Sequence, residues 1–181
     1  MINSECIEIK LSKVKLILMF LGSILFITGG ILFIRNPIEY ESFIMKSPTI
    51  IFIAGCLSIL FFGVVGFFIF KKILDKRPGL VISDEGITEY AMYVSAGFIP
   101  WEDIIKIKET KVVNQKFITI VVKNPQVYID RQKSAFKKKI MQTNYNAYGT
   151  AIGISTNGLK IGYNELKSIL EKKFSDFNSS T

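Results

Sequence analysis

Two stretches of this chain carry no charged side chain: residues 16–34, LILMFLGSILFITGGILFI, and residues 47–70, SPTIIFIAGCLSILFFGVVGFFIF. A helix needs about 20 apolar residues to cross the hydrocarbon core of a bilayer, so each run is long enough to span one. Lys15 and Arg35 bracket the first run, and Lys46 and Lys71 the second. The composition agrees, with 49% hydrophobic residues and a mean hydropathy of +0.35, high for a soluble domain of this size. The first run could also be read as a cleaved signal peptide. Against that, it exceeds the about 7–15 apolar residues of a signal core, no small-x-small cleavage site follows, and an acidic, polar segment precedes it. Two retained transmembrane helices are the expectation.

Lysine and arginine near the ends of the spans set their orientation. Lys10, Lys13 and Lys15 precede the first run, and Lys71, Lys72, Lys76 and Arg77 follow the second. The loop between them has Arg35 and Lys46, offset by Glu39 and Glu41. Both basic ends are therefore expected in the cytoplasm, where an anionic leaflet attracts each such charge by about 1 kcal/mol. The chain divides into a cytoplasmic N-terminal segment (1–15), a first membrane helix (16–34), an external loop (35–46), a second membrane helix (47–70), a basic juxtamembrane linker (71–79), a cytoplasmic domain (80–177) and a disordered tail (178–181).

Neither span holds an ionisable residue other than Cys56, which argues against a transporter or a proton relay. At about 100° per residue, Gly22 and Gly29 share one face of the first helix, and Gly55, Ser58 and Gly66 one face of the second. Such faces let helix backbones approach closely. Packing within one hairpin is the simpler use of them, and a homo-oligomer is the alternative.

The cytoplasmic domain alternates apolar and polar residues at strand period. Leu80 to Ile82 and Ile87 to Tyr93 flank the turn Asp84-Glu85-Gly86, with Gly86 expected to supply a positive φ. A short strand follows at Phe98 to Trp101, then IIKIKETKVV and KFITIVVK pair around Asn114, making a meander of about five strands. Asn124-Pro125 ends it. PQVYIDRQKSAFKKKIMQTN reads as helical, with Ser134 a helix N-cap and both Phe136 and Ile140 facing the body of the domain. Thr150 to Ser155 and Leu159 to Ile161 read as strands around Asn157-Gly158. NELKSILEKKF is an amphipathic helix with Leu166, Ile169, Leu170 and Phe174 as its apolar stripe.

Several pieces in this order resemble the bacterial pleckstrin-homology-like membrane proteins, in which two helices precede a cytoplasmic domain of that type. The matching stretches are LVISDEGI, GFIPWEDIIKIK, NPQVYIDRQ with KKKIMQTNYNAYGTAIGIS, and STNGLKI with NELKSIL. The resemblance implies a membrane α-hairpin plus an α+β domain in the bacterial inner membrane. That domain would be a PH-like antiparallel β-barrel or sheet with a C-terminal amphipathic helix and an inserted helical segment. No activity follows from it, since a fold does not carry a function.

The chemistry available is narrow. The chain has no histidine, and its two cysteines, Cys6 and Cys56, lack metal-ligand spacing. It has no phosphate loop, nucleophile elbow or zinc motif, so neither an enzyme nor a cofactor is expected. Asp84 and Glu85 are turn residues rather than a catalytic pair. A net charge of +8 suits nucleic acid, but the aromatics that would interleave with bases are missing. The basic cluster Arg131, Lys133, Lys137, Lys138 and Lys139 is the main surface feature. It reads as a solvated helix face, as a contact for anionic lipid, or as a dock for an unidentified protein partner. Trp101 is expected to be a structural anchor with a partner for its indole N–H. Asn144, Tyr145, Asn146 and Tyr148 are placed in a short loop. The function expected is a non-catalytic, membrane-tethered interaction or regulatory module, with an anionic-lipid sensor as the alternative.

Overall fold

A computed structural model describes residues 6–41 and 47–180. Lys46 and Thr181, named above as a flanking charge and the end of the tail, lie outside the described residues. The chain forms two compact units. One is Lys13–Lys76; the other joins Met1–Ser12 to Arg77–Thr181.

The first unit is a helical pair, α1 (Lys13–Arg35) and α2 (Pro48–Leu74). Both helices are long and apolar enough to cross a membrane, and burial covers only 11% and 17% of their most apolar stretches. The core helix of a soluble protein would be mostly buried, so this pattern fits helices whose outer faces meet lipid. Leu25 is 72% exposed and Leu60 66%. The helices touch along Ser23 and Gly30 on α1 and Gly55, Ser58 and Gly66 on α2. A Cβ built on Gly30 would lie 2.9 Å from the Gly55 carbonyl oxygen, and one on Gly55 2.7 Å from that of Gly30. Only glycine allows that approach. Ser58 Oγ donates across the pair to the Phe26 carbonyl at 2.9 Å, and Phe26 stacks on Phe62 with centroids 4.2 Å apart. Gly22 and Gly29, expected on the packing face, both look into open space. Helical period groups residues onto faces, but it does not say which face meets the partner.

The second unit is α+β. β1 (Ile7–Ile9), β2 (Leu80–Ile82), β3 (Gly86–Glu89) and β4 (Gly97–Pro100) form one antiparallel sheet in that order. β5 (Ile104–Val112), β6 (Gln115–Val122) and β7 (Ile152–Ile154) form a second. The N-terminal segment is thus not a separate appendage. Its strand pairs Ile7 with Ile82, Glu8 with Val81 and Ile9 with Leu80, and Leu11 bridges to Leu159. The expected meander is present, but it is divided between the sheets at the 3-10 turn Trp101–Asp103, and no closed barrel forms among the described residues.

Other elements differ from expectation for local reasons. Gly86 does not have positive φ. It is needed because a Cβ there would lie 2.2 Å from the Ile99 carbonyl oxygen. The strand expected to reach Tyr93 stops at Glu89, whose carboxylate accepts the Met92 N–H at 2.6 Å and turns the chain. Thr150 to Ser155 narrows to β7, since Thr150 Oγ1 donates to the Ile120 carbonyl and accepts the Ile152 N–H at 3.2 Å. Leu159 to Ile161 makes one bridge rather than a strand.

α3 (Pro125–Asp130) and α4 (Ala135–Tyr148) lie between β6 and β7. Asn144 to Tyr148 therefore belong to a helix, not a loop, and Gly149 ends it at φ 71°. Phe136 is 63% exposed rather than facing the body; Met141 is the buried residue of α4. α5 (Tyr163–Ser180) continues through the segment expected to be a disordered tail.

The core joins both sheets to α5. Leu80, Ile82, Ile87 and Ile99 from the first sheet, Ile120 and Ile154 from the second, and Leu166 and Leu170 from α5 are all at 0% exposure. Each such side chain contributes about 1.5–3 kcal/mol of hydrophobic stabilisation. Trp101 is buried, donates its indole N–H to the Ser83 carbonyl at 2.8 Å and meets Phe174 with centroids 6.3 Å apart.

Candidate functional site

The basic cluster sits where α3 gives way to α4. Pro125 at the start of α3 has no N–H to lose and pre-sets its first turn. The helix is pinned from beneath by Tyr128, which is 1% exposed and donates its hydroxyl to Asp103 Oδ2 at 2.6 Å. Burial first, and then that hydrogen bond, push the phenol well above its ordinary range. It stays neutral and holds the helix on the 3-10 turn.

The five cations of the cluster have unequal surroundings. Arg131 donates to the Phe98 carbonyl at 3.1 Å and lies 4.6 Å from the centre of the Tyr128 ring, so it fastens α3 to β4. Lys138 pairs with Asp130 at 3.3 Å, between partly solvated groups. Hydrogen bonds from Gln126 first, and then from Lys138, hold the Asp130 carboxyl below its usual range. Lys137 sets its ammonium 4.5 Å over the Tyr93 ring. Lys133 and Lys139 are exposed. The single basic run thus divides into a structural guanidinium, an ion pair, a cation on an aromatic ring and two solvated lysines.

Sequence reasoning missed the partner of this cluster, the connection at residues 90–96, YAMYVSA. Its aromatic and branched residues resemble a strand. In the structure it is an irregular segment held by polar contacts: Ser95 Oγ donates to the Glu89 carbonyl, and Gln132 Nε2 donates to the Ser95 carbonyl at 2.9 Å. Tyr93 is 46% exposed.

The juxtamembrane cations are spread over the two units. Within the helical unit, Lys71 lies 4.9 Å from the Phe67 ring centre, Lys72 pairs with Asp75 at 3.2 Å, and Lys76 is exposed. Within the α+β unit, Arg77 lies 4.9 Å from the centre of the Tyr90 ring. A second polar cluster joins β5 to α5. Tyr163 donates to Glu109 at 2.9 Å, and Lys116 reaches the same carboxylate at 3.2 Å.

Among the described residues no three His, Cys, Asp or Glu side chains converge as a metal site needs. What the arrangement offers chemically is charge and aromatic surface. Comparison with family models, with curated proteins and with solved structures gives no match.

Proposed function

We propose that this chain is a membrane-anchored, non-catalytic interaction or regulatory module. In this reading α1 and α2 span the bacterial inner membrane, and a PH-like domain is held at its cytoplasmic leaflet. One observation supports it above others: the apolar pair is inserted between β1 and β2, neighbouring strands of one sheet. A chain that leaves a folded unit, forms two apolar helices and returns to the adjacent strand presents that unit on one side of the bilayer. The strand order, four then three antiparallel strands followed by a C-terminal helix, favours the PH-like reading. The excess of lysine and arginine around the helix ends favours the cytoplasmic side.

Tethering is the mechanism. Confinement to a surface raises the effective concentration of a weak site near its target, so even low affinity suffices. Photo-crosslinking of the full-length chain in its own membrane, from a probe at Lys139, tests this and should recover a reproducible protein partner. Recovery of lipid alone would favour the second reading, an anionic-lipid module. The two exposed lysines and the Lys137–Tyr93 stack support that alternative. A cysteine at Glu39 tests topology. It should react with an impermeant reagent in intact cells, and protection there would reverse the orientation.

A further inference from the structure

In the four-stranded sheet, Ile9, Leu80, Glu89 and Gly97 pair in one row across all strands. The chain leaves the α+β unit just beyond Ile9 and re-enters it just before Leu80. Residues 90–96 span from Glu89 to Gly97, so this connection projects from the same end of the sheet as both crossings. The 83–86 turn projects from the opposite end, beyond the pair Ile82 and Ile87.

The crossing end is basic and aromatic. Arg77 packs on Tyr90 and Lys137 on Tyr93. Gln132, beside Arg131 and Lys133, is bonded to Ser95. Lys10 and Lys160 join it through the Lys160 N–H, which donates to the Lys10 carbonyl at 2.9 Å; both residues are exposed. Glu89 is the acidic residue of the row, and it is 2% exposed with its carboxylate turned onto the Met92 N–H. The acidic residue beside the cluster, Asp130, is paired with Lys138, and a half-exposed Tyr93 among these cations suits the boundary between headgroups and acyl chains.

We propose that this end of the unit is an interfacial surface that seats on anionic lipid, with Met92 and Tyr93 at headgroup depth and Arg77, Lys10, Lys137 and Lys160 on lipid phosphates. The proposal rests on the reading that α1 and α2 span the bilayer, because that brings the crossing end to the leaflet. Charge complementarity selects the occupant, and the apolar tip of the 90–96 connection distinguishes a bilayer from a soluble anion.

The test uses the full chain with Cys6→Ser and Cys56→Ser, spin-labelled at Met92→Cys or, as a control at the opposite end, at Glu85→Cys. The chain is reconstituted in vesicles of phosphatidylcholine alone or mixed with phosphatidylglycerol. The Met92 label should be shielded from an aqueous nickel chelate only in the anionic vesicles, and the Glu85 label should stay accessible in both. Lys10→Gln, Lys137→Gln and Lys160→Gln should each lower the ratio of shielded to accessible label about fivefold. Equal accessibility at both positions in anionic vesicles overturns the proposal, as does shielding indifferent to lipid charge. A third arm labels the same chain in native membrane vesicles, and shielding there without shielding in the anionic lipid vesicles overturns the proposal in favour of an acidic protein partner. A chain that fails to float with vesicles would sink the membrane reading itself; one that floats with Met92 still accessible sinks this inference alone.

Discussion

The ammonium of Lys13 donates to the backbone carbonyl oxygen of Asp75 at 2.6 Å, so the first residue of α1 closes the C-terminal end of α2. It also donates to the carbonyl of Ile73. Carbonyls at a helix C-terminus lack intrahelical partners and carry partial negative charge, and a cation answers both needs. Lys13→Met keeps the aliphatic stem and removes the donors. It should destabilise the helical pair by about 1.5–3 kcal/mol, read as a lower unfolding midpoint by circular dichroism in micelles. Lys13→Arg should recover most of the loss. An unchanged midpoint for Lys13→Met would show that the contact is incidental.

The strand before α1 belongs to the core of the α+β unit. Leu11 is 4% exposed, and Gly79 donates its N–H to the Ile9 carbonyl at 2.8 Å. Leu11→Ala should lower stability by about 2–4 kcal/mol. Trp101, the one tryptophan, reports this through its fluorescence during urea unfolding. A fragment 77–181 should unfold at lower urea than one in which residues 6–12 are joined to Arg77 by a short Gly-Ser linker. Equal midpoints would mean that β1 adds nothing.

The glycines of α1 divide sharply. Gly22 has open space where a Cβ would go, whereas Gly30 has the Gly55 carbonyl oxygen at 2.9 Å. Gly22→Ala should therefore be neutral or stabilising by up to about 1 kcal/mol through helix propensity. Gly30→Ala must push the backbones apart, at a cost of about 1–3 kcal/mol. Paired unfolding curves in detergent check the contrast, and similar shifts for the two variants would refute the packing face.

Removing the indole N–H should also be felt. In Trp101→Phe the Ser83 carbonyl loses its donor and part of the core volume empties, which should cost about 1–3 kcal/mol. Calorimetry of the full chain in micelles measures this. A variant as stable as the parent would mean that Ser83 finds another donor.

The Glu109–Tyr163 bond predicts two pH windows. Hydrogen bonds from Tyr163 and then Lys116 hold the Glu109 carboxyl below its ordinary value of 4.5. Its stabilising effect is present above that value and fades as pH falls through the lower, folded one. Burial first, and then the bond to Glu109, raise the Tyr163 phenol from 10.0 to about 12. Its contribution is intact below about 10 and is lost as pH rises through about 12. Tyr163→Phe should remove one late tyrosinate transition from the near-ultraviolet titration. It should also move Glu109 back toward its ordinary value in carboxyl NMR shifts. A Glu109 that titrates identically in both proteins would rule the coupling out.

What was legible depended on how far apart the determining residues lie. The spans, the Leu80–Ile82 hairpin, the β5–β6 pair about Asn114 and the Leu166–Leu170 stripe all announce themselves within a few residues. The 90–96 connection did not, because YAMYVSA has strand composition and only the turn of Glu89 onto Met92 stops the ladder. Within the basic cluster, sequence could count the charges but not sort them. That Arg131 is spent on Phe98 while Lys139 stands in solvent follows from how α3 docks on β4.

The amino-acid sequence alone determines that this chain carries two lipid-compatible helices and an alternating segment that needs a core, because hydrocarbon length and side-chain period are local properties. Only the tertiary structure decides that β1 completes a sheet whose other strands lie beyond both helices. It also decides that Gly30 rather than Gly22 meets the neighbouring helix, and that tyrosines and lysines distant in sequence collect at the crossing end. Those outcomes depend on backbone pairing and close packing between residues far apart in the chain, whose complementarity exists only once the elements have met.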